Sequence, residues 1–88
     1  MLIEACVENF AEALRAEAAG AGRIELCAEL DRDGLTPGRE LIAMTCHRLQ
    51  IPVKVMIRPH DRGFIYTEPE LRAMEEEILF CRKAGAWG

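Results

Sequence analysis

Arg23-Ile24-Glu25-Leu26-Cys27 decides how this chain reads. Apolar Ile24 and Leu26 alternate with Arg23, Glu25 and Cys27, and a side-chain period of two belongs to a strand whose two faces differ. The same alternation opens the chain in Ile3-Glu4-Ala5-Cys6-Val7 and returns in Val53-Lys54-Val55-Met56-Ile57-Arg58. Three strands are therefore expected, each with one apolar face and one face bearing charge or sulfur.

Helical signals fill the gaps between them. After a first strand over residues 2–7, Asn9 offers an N-cap with Glu12 three residues on, predicting a helix from Phe10 to Ala19 that Gly20 and Gly22 end. The second strand runs from Arg23 to Cys27 or Ala28. The polar segment 29–34 carries a turn signal at Asp33-Gly34. Thr36 then sets a capping hydroxyl before Pro37, predicting a second helix over residues 37–49. Ile42, Thr45, Cys46 and Leu49 share one of its faces, so Cys46 reads as a small core residue.

The third strand must stop at Arg58-Pro59, because proline cannot donate to a central ladder, and a loop over residues 59–66 follows with its bend at Gly63. Thr67-Glu68-Pro69-Glu70 is a capping box, and the helix it starts is expected to reach Ala84, bury Leu71, Met74, Ile78 and Cys81, and close at Gly85. The order is βαβαβα. Crossovers of this length require parallel pairing, which makes the chain an α/β protein.

With 88 residues the chain suffices for one small domain, residues 1–88. Its formal charge of −4 is concentrated between Glu68 and Glu77, which disfavours nucleic acid and anionic membranes as partners. No apolar run approaches the roughly 20 residues of a membrane span, and no secretory leader is visible, so a cytoplasmic location is expected. Cys6, Cys27, Cys46 and Cys81 lie far apart without a CxxC pair, which favours reduced thiols over a disulfide scaffold and gives no support to a zinc ribbon.

The charged and sulfur-bearing faces are the functional clue. Parallel strands covered on both sides are apolar throughout, so these fit either a barrel interior or mouth, or a sheet with one solvated face. On that face Glu4 accompanies Cys6 and Glu25 accompanies Cys27. Paired in that register, two thiolates could reach one soft ion such as Cu(I), with Met56 as a thioether; the alternative is sulfur filling buried space. Glu4, Glu25, Arg23 and Arg58 form a second constellation, suited to proton transfer and to an anionic substrate, or to a structural ion-pair network. His47 is expected on a helix surface and His60 near a strand mouth. The templates GxGxxG, GxxxxGK[ST] and HExxH are absent. Phe64-Ile65-Tyr66 is an apolar patch that either folds back on the core or meets a partner.

Taken together, Glu4-Ala5-Cys6-Val7, Arg23-Ile24-Glu25-Leu26-Cys27-Ala28, Gly34-Leu35-Thr36-Pro37, Ile51-Pro52-Val53 and Val55-Met56-Ile57-Arg58-Pro59, with Phe64 and Tyr66, closely resemble the CutC copper-homeostasis family. The resemblance covers nearly the whole chain. It implies a TIM (β/α)8 barrel of which this chain carries the first three βα units, in a cytoplasmic protein that often forms oligomers. It also implies copper handling, with Cu(I) ligands falling on Cys6 and Cys27, and a barrel mouth whose Glu and Arg residues, here Glu4, Glu25, Arg23 and Arg58, look like an enzyme site.

Two positions depart from the family pattern: Lys54 stands where an apolar residue is usual, and His60 where Arg is common. The family's chains are more than twice as long, so a truncated product, a fragment or an assembly that shares strands is expected. Open strand edges would favour a homo-oligomer. The leading functional expectation is a Cu(I)-binding protein of copper homeostasis using Cys6 and Cys27. An enzyme acting on a small anionic or carbonyl substrate, and a remnant without activity, are the alternatives.

Overall fold

The three alternating stretches pair as parallel strands, β1 (Glu4–Val7), β2 (Arg23–Leu26) and β3 (Val53–Val55), in the order β1-β2-β3. The coordinates are a computed structural model that describes residues 2–63 and 65–86. Helix α1 (Phe10–Ala18) links β1 to β2, α2 (Arg39–Arg48) links β2 to β3, and α3 (Glu68–Ala84) follows β3. The fold is the α/β succession expected from the sequence.

One side of the sheet makes the core. Val7, Ile24, Leu26 and Val53 are buried together with Ala13 of α1 and Ile42 of α2, and Leu49 closes the cluster. Cys46 packs against it, half-buried. Burying a full aliphatic side chain contributes about 1.5–3 kcal/mol, so this small set carries much of the stability of so short a chain.

Local chemistry places the elements. Asn9 accepts the Glu12 N–H at 2.8 Å as the α1 cap, while the Glu12 carboxylate accepts the N–H of Glu8 at 2.9 Å, one residue earlier than a standard capping box would place it. Thr67 and Glu70 form the full box on α3, and Gly85 ends that helix at a φ of 98°, a left-handed conformation that glycine adopts without strain.

Three sequence expectations are corrected. Helix α2 begins at Arg39 with Gly38 as its N-cap rather than at Pro37. The Thr36 hydroxyl is taken, because it accepts the Arg58 N–H at 2.7 Å while the Thr36 N–H donates to the Arg58 carbonyl at 3.0 Å. β3 is shorter than its alternation suggested, ending at Val55, although the Met56 N–H still donates to the Leu26 carbonyl at 3.0 Å. The turn expected at Asp33-Gly34 is present: segment 29–34 holds a single 3-10 turn, Leu30–Arg32, with Glu29, Asp33 and Gly34 at positive φ.

The third correction concerns α3. Of its expected stripe only Cys81 is buried; Met74 is half-buried, and Leu71 and Ile78 keep 43% and 44% exposure. The helix packs chiefly on α2 and leaves an apolar cavity of about 580 Å³ against β3, lined in part by Val55, Ile57 and Ile78. No fourth strand lies beside β3 among the described residues to cover that side. In the patch at residues 64–66, Phe64 lies outside the described residues, Ile65 is 92% exposed, and Tyr66 sits with its ring 5.1 Å from that of His60.

Candidate functional site

The register of the sheet sorts the polar side chains into layers. Glu4 is level with Arg23, Cys6 with Glu25, and Glu25 with Lys54. Cys27 follows the end of β2, one strand repeat above Glu25 on the same face. The two cysteines are therefore diagonal neighbours rather than directly opposed, and the side-by-side register of Glu4 with Glu25 and Cys6 with Cys27 is replaced by one offset by two residues.

The lowest layer is an ion pair. The Arg23 Nε donates to the Glu4 carboxylate, a contact that is only partly exposed. This hydrogen bond, then a second one with the Glu25 carboxyl, holds Glu4 below the ordinary carboxylate range; the charge of Lys54 adds to the effect. Two carboxyl groups, a guanidinium and an ammonium thus share one sheet face.

The thiols above them behave differently. Cys6 is exposed, and desolvation of its sulfur together with the charges of Glu25 and Glu4 raises its thiol above the ordinary value of 9.0. Cys27 is only 1% exposed, and burial first, then Glu25, pushes its thiol up to about 12. Its sulfur leans back toward the layer of Cys6, 3.8 Å from Glu25 Oε1 and 3.9 Å from the Glu25 carbonyl, to which the S–H donates. Both thiols are protonated at neutral pH in the metal-free protein, so an ion entering here must displace protons.

The loop after β2 roofs the upper layer. Gly34 has a φ of 89°, and a Cβ there would stand 3.4 Å from Met56 Cε and 3.7 Å from Cys27 Sγ. Arg58 holds this roof, its Nη1 donating to the carbonyls of Arg32, Asp33 and Gly34 at 3.3–3.4 Å. Arg32 adds an ion pair with Asp61 at 2.7 Å. The structure therefore gathers Glu4, Arg23, Glu25, Cys6 and Cys27, whereas the Arg58 guanidinium reaches the loop carbonyls.

His60 lies on the loop after β3, its Nε2 2.7 Å from Glu70 and its Nδ1 accepting the Arg62 N–H at 3.1 Å. Both ring nitrogens are engaged, a positioning role for the loop. His47 is exposed on α2. Two residues of the site escaped sequence reasoning. Glu8 continues the alternation of Glu4 and Cys6, accepts the Leu30 N–H at 3.2 Å and adds negative charge near Cys27. Gly34 read as a turn residue, yet its missing side chain is what leaves space beside two sulfur-bearing residues.

Among the described residues, no three His, Cys, Asp or Glu side chains group as a metal site. Sulfur on this face comes from Cys6, Cys27 and Met56, with the carboxylates of Glu4, Glu8 and Glu25 beside them. All four cysteines are free thiols.

The profile of the CutC family matches residues 1–88. The chain belongs to the CutC family. It is 41% identical over 87 residues to the copper homeostasis protein cutC homolog of Mus musculus and 40% identical over 87 residues to that of Homo sapiens, covering 99% of this chain in each case. The crystal structure of CutC from Streptococcus agalactiae superposes with a TM-score of 0.84 at 37% identity over 98% of this chain and 43% of that one. The three parallel βα units are thus those of a partial TIM barrel. This CutC-family chain spans about a third of the length of the mouse and human relatives, 32% of each. No described helix is long and apolar enough to cross a membrane.

Proposed function

We propose that this chain acts in copper homeostasis by binding Cu(I) through the thiolates of Cys6 and Cys27. The observation that carries the reading is the position of both thiols on one face of adjacent parallel strands, with the Cys27 sulfur turned toward the layer of Cys6. Burial and the neighbouring carboxylates keep the free thiols protonated, so Cu(I) enters this site by displacing those protons. The copper-homeostasis names of the mouse and human relatives support the same assignment. A reducing, cytoplasmic setting belongs to this reading because it keeps the thiols available. Self-association belongs to it as well, supported by the exposed apolar side chains of α3.

Competition with a Cu(I) chelator tests the proposal. One equivalent of Cu(I) should bind to the wild type and be lost when Cys6→Ser and Cys27→Ser are combined. Unchanged affinity in the double variant would remove the thiolates from the account.

The contact between the Glu4 and Glu25 carboxyls beside Arg23 favours a second reading, an enzyme that moves a proton on a small anionic or carbonyl substrate. In that case Glu25→Gln abolishes turnover and the cysteine variants leave it intact.

A further inference from the structure

We infer that the loop over residues 29–34 is a hinged lid whose opening controls access to the Cys27 thiol. The inference holds whichever chemistry uses that thiol.

Cys6 and Cys27 share one face of the sheet, yet Cys6 is exposed and Cys27 is only 1% exposed. The loop accounts for the difference. Gly34 is itself buried and lies against Cys27, with a Cβ position 3.7 Å from the sulfur. At the base of the loop Ala28 and Leu35 exchange both backbone hydrogen bonds, at 2.8 and 2.7 Å, in an antiparallel bridge. Residues 29–34 thus have a fixed stem about which to swing.

Two opposing influences act on the part that swings. Glu29 and Asp33 hold φ of 47° and 64°, left-handed conformations that cost free energy in residues with a Cβ. Opening relieves that strain. Against it stand tethers from the ends of both neighbouring strands. On the β1 side the Glu8 carboxylate accepts the Leu30 N–H at 3.2 Å. On the β3 side Arg58 Nη1 donates to the carbonyls of Arg32, Asp33 and Gly34, and Arg32 donates twice to the Asp61 carboxylate, at 2.7 and 2.9 Å. The Arg32 and Asp61 side chains keep 44% and 32% of their surface in water, so solvent and salt compete for this clamp. A strained backbone held down by solvent-accessible charges is an element with two states. Its release uncovers Cys27 and spares the core, because Ile24 and Leu26 face the helices on the opposite side of the sheet.

Alkylation by iodoacetamide, resolved by peptide mass spectrometry and paired with hydrogen exchange of the loop amides, tests the lid on the full chain. Asp61→Asn removes the charge that Arg32 grips and should raise labelling at Cys27 about fivefold, with faster exchange over residues 29–35. Added salt should speed Cys27 labelling in the wild type and much less in that variant. Gly34→Ala sets a methyl at a φ of 89° against Met56 Cε and Cys27, and should force the lid up for a larger rise. Cys46 and Cys81, which belong to the core, should label at unchanged rates in Asp61→Asn. Equal Cys27 labelling and equal loop exchange in all three proteins would overturn the lid. A parallel rise at Cys46 and Cys81 in Asp61→Asn would overturn it too, because Cys27 would then be reached by unfolding of the whole chain.

Discussion

The two faces of β2 are made by neighbouring residues of one short strand, and they do opposite work. Ile24 and Leu26 are fully buried beneath α1 and α2 and hold the sheet to its helices. Arg23, Glu25 and, just past the strand end, Cys27 point the other way, where charges and thiols perturb one another. The difference teaches that stability and chemistry are separable in this chain at single-residue resolution, because a strand sends alternate side chains to opposite faces.

The largest expected effect lies on the apolar face. Leu26→Ala should cost about 2–5 kcal/mol, enough to unfold much of so small a chain, as read by denaturant titration. A loss under about 1 kcal/mol would mean that the core does not depend on this face. Next in size is copper affinity against pH, which should climb about tenfold per pH unit for each thiol proton displaced. A flat profile between pH 6 and 8 would show that the protonated thiols of Cys6 and Cys27 are not the ligands.

A smaller effect separates the capping of α3 from its stripe. Thr67→Ala removes the box and should cost about 1 kcal/mol, whereas Leu71→Ser should stay within about 0.5 kcal/mol because Leu71 keeps much of its surface in water. Equal losses would show that the stripe is covered in solution. The smallest effect is electrostatic. Glu4 is lowered in the folded state, so its contribution is present above its ordinary value of 4.5 and is lost as pH falls through the folded value. Glu4→Gln should flatten stability against pH in that acidic window. The raised Cys27 thiol has the opposite sign: its contribution is full below 9.0 and fades as pH climbs toward about 12.

Much of this was legible in the sequence, for identifiable reasons. Period-two alternation fixed which side chains share a face, and Asn9 and Thr67 marked two helix starts because their side chains have no better local partner. Thr36 misled for the converse reason: a hydroxyl before proline looks like a cap, but the distant Arg58 N–H claims it. Long-range pairing of that kind leaves no local signal. The register offset between Cys6 and Cys27 was hidden likewise, since alternation gives the face and not the level. The stripe on α3 had the right spacing, and its exposure depends on what lies beside β3.

The account stands most directly on one measurement, native mass spectrometry of the chain with and without Cu(I). A mass increase of one copper per chain that disappears in the combined Cys6→Ser and Cys27→Ser variant, with the variant still folded, is the predicted result. Copper retained at the same stoichiometry by that variant would contradict the assignment of the polar face of this sheet as the metal site.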